Sequence, residues 1–196
     1  MTPFTTLMSI IVPMREANLD TDIIIPSREM KTVAKSGLAG GLFAGRRYLA
    51  GTRVPDPQFV LNQPQYVGAV ILAGGANFGC GSSREHAVWA LAEYGFRCIV
   101  APSFSPIFFG NCIANGVLPA VIEAAVDGIA TVDLVAQTVM ANSVTHRFEI
   151  DQDAKAMLLG GLDAIDLTLQ HAASIAAWQA VDRVARPWIY FDKVSL

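Results

Sequence analysis

The segment Asn77-Phe-Gly-Cys-Gly-Ser-Ser-Arg-Glu-His86 gathers most of the residues in this chain that could do chemistry. Gly79 and Gly81 let the backbone turn tightly and approach a ligand closely. Ser82 and Ser83 fall at or near the cap of a predicted helix, where free backbone N–H groups and the positive helix end attract an anion. Arg84 adds a planar fork that suits a carboxylate. The residue types and their spacing describe a small-anion site, with carboxylate and phosphate both open. The plainer alternative is that Ser82 only caps the helix and Arg84 lies on the surface.

Other catalytic templates fail. Gly-x-Ser-x-Gly is absent around Ser82 and Ser83, which removes the α/β-hydrolase elbow. Gly40 to Arg47 has the Gly-x4-Gly spacing of a phosphate loop without the Lys-Ser/Thr that must follow it. Cys80 and His86 could form a thiol–imidazole pair, but a buried thiol is the more ordinary state. No Cys-x-x-Cys or His-x-x-x-His cluster occurs, so the sequence offers no self-sufficient zinc or iron–sulfur site. His146 and His171 are isolated.

The elements that must position the loop can be read around it. Tyr66 to Ala73 is almost wholly apolar and predicts a buried strand. Gly74 to Ser83 is a glycine-rich loop, and Arg84 to Tyr94 predicts a helix closed by Gly95. Arg97 to Ala101 predicts a strand, Pro106 to Ala114 a short helix, and Leu118 to Ile122 a third strand. Strand, helix, strand, helix, strand is the order of parallel α/β units. Upstream, Ile10 to Val12 predicts a first strand, followed by the polar turn Asn18 to Asp22 and the apolar run Ile23 to Ile25. Lys35 to Gly51 holds five glycines and reads as a loop or short broken helix that is free to move. Pro55, Pro57 and Pro64 keep Gly51 to Gln65 irregular. Downstream, Thr131 to Val135 and Ser143 to Ile150 predict two strands. Gln152 to Leu159 and Leu162 to Val184 predict helices, the second ending before Pro187.

The bulk properties bound the function. The 196 residues fit one domain with room for an appendage. With 53% hydrophobic and 16% charged residues the chain is expected to fold. A net charge of −3 gives no basic excess to hold nucleic acid. The uncharged run Cys98 to Ile122 is long enough for a membrane span, but Pro102, Pro106, Pro119, Asn111 and Asn115 interrupt it, so no membrane segment is expected. No signal peptide is evident. The three cysteines, Cys80, Cys98 and Cys112, are odd in number and far apart, which fits a reducing cytoplasm better than a disulfide framework. A mean hydropathy of +0.41 then calls for burial against a partner chain.

Asn77 to Ala87 resembles the signature loop of the aconitase superfamily swivel domain, and its Cys80 form is similar to that of the 3-isopropylmalate dehydratase small-subunit family. Asn18-Leu-Asp-Thr-Asp-Ile-Ile-Ile-Pro26, Phe59 to Pro64, Ala101-Pro-Ser-Phe104, Asn111-Cys112 with Asn115-Gly116, and Arg186-Pro187-Trp188 agree in order. The resemblance runs from about Ile11 to Trp188. It implies an α/β fold of the swivelling β/β/α type, one compact domain over 1–196, with a core of about 10–150 and a C-terminal helical extension of about 152–186. It implies a hydro-lyase of leucine biosynthesis that interconverts 2- and 3-isopropylmalate by dehydration and rehydration. In that family a large subunit carries a 4Fe-4S cluster and the small subunit closes over it, as a heterodimer or heterotetramer. This chain is then expected to hold no cofactor of its own. Ser82, as alkoxide, would remove the proton next to a carboxylate. Ser83 and Arg84 would bind a carboxylate of the small dicarboxylate substrate. Asp20, Thr21 and Asp22 would brace the loop, with Gly79 and Gly81 shaping it. Met30 and Lys31 would meet the substrate's variable side group.

The sequence departs from the family pattern in three places that bear on substrate choice. Glu29-Met30 stands where relatives usually have an aromatic-Leu pair, and Glu29 beside an isopropyl group would have to face water. Gly75-Ala76 replaces an Arg-Glu-like pair, and Gly45-Arg46-Arg47 replaces a more acidic and aromatic stretch. Related hydro-lyases acting on citraconate/2-methylmalate, dimethylmalate or maleate share the architecture, and a non-catalytic anion-binding module of the same fold is the alternative of another class.

Overall fold

The computed structural model describes residues 1–31, 34–81 and 84–190. Its centre is a set of short apolar strands that pair in parallel: β1 (Thr6–Met14), β2 (Ile71–Gly74), β3 (Cys98–Ala101) and β4 (Leu118–Val121). The register aligns Ile11, Ile71, Cys98 and Leu118 in one row and Val12, Leu72, Ile99 and Pro119 in the next. Alternate residues point to opposite faces, and both faces are buried. Ile11, Ile71, Cys98 and Leu118 enter one core cluster, while Val12, Leu72 and Ile99 enter the other. The antiparallel strands β5 (Ile129–Asp133), β6 (Thr138–Ala141) and β7 (Val144–Arg147) continue the sheet beyond β1, giving the order β4-β3-β2-β1-β5-β6-β7.

Two four-residue helices, α1 (Thr21–Ile24) and α2 (Ala44–Arg47), precede the central units. Helix α3 (His86–Tyr94) buries Ala87, Val88, Ala90 and Leu91 on the sheet. It ends at Gly95 (φ +119°), and the Phe96 N–H returns to the Leu91 carbonyl at 3.0 Å. Helix α4 (Pro106–Ala114) links β3 to β4, so the uncharged run 98–122 is strand, helix and strand. No helix among the described residues is long and apolar enough to cross a membrane. Helices α5 (Gln152–Gly160), α6 (Ala164–Leu169) and α7 (Ala172–Ala185) follow the sheet.

The α/β order expected from the sequence is the observed β2–α3–β3–α4–β4. Four expectations need correction. β2 starts at Ile71, because Pro64–Tyr66 forms a 3-10 turn and Gly68 sits at φ +76°. The sequence hides β6, which joins β7 through Asn142 and Ser143, both at positive φ, the requirement of a two-residue type I′ hairpin. The helix expected over 162–184 is broken between α6 and α7. There the Thr168 hydroxyl donates back to the Ala164 carbonyl at 3.0 Å, a bond that bends helices. Finally, α3 starts at His86, two residues later than expected; the side chain of its cap residue Glu85 makes no capping bond and instead accepts the Asn115 side-chain N–H at 2.8 Å.

Candidate functional site

β1, β2 and β3 run in parallel, and Met14 pairs with Gly74, so their carboxyl ends share one edge of the sheet. Open α/β sheets bind ligands in the crevice outside that edge. The loop leaving β2 is stitched to the loops on both sides by main-chain bonds. Toward β1, Gly79 N–H donates to Leu19 O at 2.8 Å and Thr21 N–H to Cys80 O at 3.0 Å. Toward β3, Phe78 N–H donates to Ser103 O and Ser105 N–H to Phe78 O, both at 3.0 Å. The loop therefore extends the sheet pattern into the crevice.

Gly79 is fixed by space and by conformation. Its φ is +74°, and a Cβ there would stand 2.1 Å from the Phe108 ring. Phe78 is fully buried beneath the loop, edge-on to Phe104 and Phe108. Gly81 likewise has positive φ, +88°, and lies against Asp20.

Asp20 caps α1, its side chain accepting the Ile23 N–H at 2.8 Å. Thr21 is buried. Asp22 is exposed in the first turn of α1 and accepts a bond from the Arg84 guanidinium. The Arg84 side chain is 30% exposed. The structure thus brings Asp20, Thr21, Asp22, Gly79, Gly81 and Arg84 together at one edge of the sheet. Ser82 and Ser83 lie outside the described residues. An exposed carboxylate on a guanidinium is an exchangeable partner, since a substrate carboxylate offers the same acceptor geometry.

Arg46, noted from the sequence only within the departure Gly45-Arg46-Arg47 and not as a site residue, joins this charged rim. It donates to both carboxylate oxygens of Glu16, one at 3.1 Å. The Glu16 bond above all, with a weaker contribution from the Asp20 charge, raises the Arg46 guanidinium above its ordinary value, and Arg46 holds Glu16 below the usual carboxylate range. The signal was present in Gly45-Arg46-Arg47, but the pairing spans 30 residues.

Met30 and Lys31 bond to their own segment, Met30 N–H to Ser27 O at 3.1 Å and Lys31 N–H to Glu29 O at 3.0 Å. Met30 is half-buried and packs on the core. Lys31 is exposed at a cavity of about 390 Å³ that Glu29, Tyr48 and Arg53 also line. Among the described residues no contact joins either one to Arg84. Thr32 lies outside the described residues. Glu29, which beside an isopropyl group would have to face water, is instead 10% exposed in its side chain and paired with Arg53 and Arg28.

The cysteines do not fit a cluster on this chain. Cys98 and Cys112 are buried in the core, where desolvation pushes both thiols well above their ordinary value, whereas cluster ligation needs thiolates. Among the described residues no group of three or more His, Cys, Asp or Glu could hold a metal ion.

A glycine-shaped loop at the carboxyl ends of parallel strands, with a guanidinium at its exit, defines an α/β protein with a candidate anion site. The family model of the Aconitase C-terminal domain matches residues 1–125. The 3-isopropylmalate dehydratase small subunit of Cupriavidus necator is 54% identical over 207 residues, covering 98% of this chain and all of that one. That of Jannaschia sp. (strain CCS1) is 46% identical over 203 residues, covering 96% of this chain and all of its own. The crystal structure of 3-isopropylmalate dehydratase from Methanocaldococcus jannaschii superposes with a TM-score of 0.68 at 26% identity, covering 89% of this chain and 99% of that one. The chain belongs to the aconitase C-terminal domain family and, within it, to the 3-isopropylmalate dehydratase small subunits.

Proposed function

We propose that the chain is the small subunit of a two-subunit hydro-lyase that interconverts 2- and 3-isopropylmalate in leucine biosynthesis, in the cytoplasm and as one folded unit. The observation that carries this reading is full-length identity of 54% to a protein of that name, with Gly81-Ser-Ser-Arg84 intact. Lewis-acid chemistry for the departing hydroxyl is supplied by the 4Fe-4S cluster expected on the large subunit.

This chain's own residues supply the rest. Arg84 exchanges Asp22 for a substrate carboxylate, and Ser83 adds a hydroxyl donor. The carboxylate is thereby anchored beside Ser82. Ser82 takes the proton from the adjacent carbon and returns one on rehydration. A serine alkoxide is too basic to persist without help, so the base needs cationic and N–H donors nearby. Arg84 supplies the cation, and the glycine backbone admits close approach. Asp20, Thr21 and Asp22 brace the loop so that the base keeps its position when the lid closes. Met30 and Lys31 face the variable side group.

The test is reconstitution. The purified chain is mixed with a cluster-loaded 3-isopropylmalate dehydratase large subunit, and 3-isopropylmalate, citraconate and dimethylmaleate are assayed. Turnover of 3-isopropylmalate by the mixture alone, with kcat/KM above that for the others, is expected. Faster turnover of citraconate or dimethylmaleate would move the chain to a related hydro-lyase. No turnover of any substrate would favour the anion-binding module.

A further inference from the structure

The stretch Ser27–Lys31 is anchored by one largely covered carboxylate. The Glu29 side chain is 10% exposed; it pairs with Arg53 and lies 3.4 Å from Arg28 Nε. Arg53 is itself fixed: its Nη1 donates to Gly40 O at 3.0 Å, and its guanidinium lies 5.1 Å from the centre of the Tyr48 ring. The Tyr48 hydroxyl donates to the same carbonyl at 2.9 Å. On the opposite flank, a Cβ on Gly41 would stand 2.7 Å from Glu29 Cβ, so only glycine admits Glu29 there. Cavities of about 540 and 390 Å³ are both lined by Glu29, Tyr48 and Arg53, with Arg28 at the larger and Lys31 at the smaller.

We propose that Glu29 and Arg53 form the positioning pair that sets where Met30 and Lys31 stand, and thereby which side group the enzyme accepts. The proposal rests on the reading that Met30 and Lys31 meet the substrate's side group. A carboxylate this enclosed is costly without its guanidinium. Loss of Arg53 therefore moves Glu29 toward water and carries the adjoining residues with it. The pair touches neither the loop at 76–81 nor Arg84, so it acts on selectivity through position and leaves the reacting groups in place.

The experiment uses the reconstituted two-subunit enzyme carrying Glu29→Gln, Arg53→Gln, both together, or Arg53→Lys. KM and kcat for 3-isopropylmalate and citraconate are measured with the melting temperature. Each single glutamine variant should raise KM for 3-isopropylmalate about tenfold with kcat changed less than about threefold, shifting preference toward citraconate by about tenfold. The double variant should be no worse than either single one, because both break one interaction. Arg53→Lys, which keeps the charge, should recover part of the preference. Additive effects, or kcat and KM for both substrates changing in step with melting temperature, would overturn the proposal. Met30→Ala and Lys31→Ala separate it from the reading beneath it. If they shift the preference and the pair variants do not, the proposal alone fails. If neither shifts it, the underlying reading fails and takes the proposal with it.

Discussion

Two glycine-rich stretches of this chain are held in place by different balances of main-chain and side-chain bonds. The loop at 74–81 is held by main-chain hydrogen bonds to the loops beside it and by Phe78 beneath it. The stretch at 37–53 buries Leu38, Leu42 and Phe43 in the core, and its glycine backbone is held in addition by side-chain charge. The Glu93 carboxylate at the end of α3 accepts the N–H groups of Gly37, Leu38 and Ala39 at 2.7, 2.5 and 2.8 Å. Arg47 and Arg53 each donate to a carbonyl of the same stretch, Ala39 and Gly40, at 3.0 Å. Main-chain anchoring asks little of the sequence beyond glycine where space demands it, so it keeps reacting groups in place while side chains change. Side-chain anchoring depends on a few charges, so a substitution there alters the backbone between the buried Leu38, Leu42 and Phe43. On the proposed function, the first stretch is the part that does chemistry and the second the part that can be retuned.

The sharpest way to break that comparison is at Gly79. Gly79→Ala meets the Phe108 ring and a positive φ, and should cost about 3 kcal/mol, the sum of overpacking and left-handed strain. Urea unfolding measures it; a loss under about 1 kcal/mol would show that the loop is not tightly fixed. Next, Arg84→Lys in the assembled enzyme keeps the charge and loses the fork, so kcat/KM should fall by about 2–3 kcal/mol. An unchanged kcat/KM would place Arg84 outside the substrate shell.

The smallest effect belongs to the charged anchor. Glu93→Ala should lower stability at neutral pH by about 1 kcal/mol, the scale of a lost cap acceptor. The Gly37 N–H first, then those of Leu38 and Ala39, hold the Glu93 carboxyl below its usual 4.5. A depressed folded value contributes stability that is present above 4.5 and is lost as pH falls through the lower folded value. The difference between parent and Glu93→Ala should therefore shrink below pH 4.5. A constant difference down to pH 3 would mean the carboxylate charge plays no part.

What the sequence revealed follows the same division. The loop at 77–86 was legible because glycine, serine and arginine types state their local roles directly. β3, α4 and β4 were legible because local apolar runs bounded by proline and glycine determine them. The stretch at 35–51 was read as free to move because its glycines are local and its anchor, Glu93, lies 54 to 56 residues away. The surroundings of Glu29 were not legible for the same reason, since Arg53 is 24 residues distant in sequence and adjacent in space. β6 was missed because four residues give too short a period and its turn, Asn142-Ser143, lacks glycine.

The central claim is that this chain contributes the base. The most direct measurement is kcat and KM of the two-subunit enzyme reconstituted with Ser82→Ala. A base acts in the transition state and contributes little to binding, so kcat should fall by about 10³ or more while KM changes only a few-fold. A kcat within a few-fold of the parent would contradict the account and leave Ser82 with no part in the chemistry.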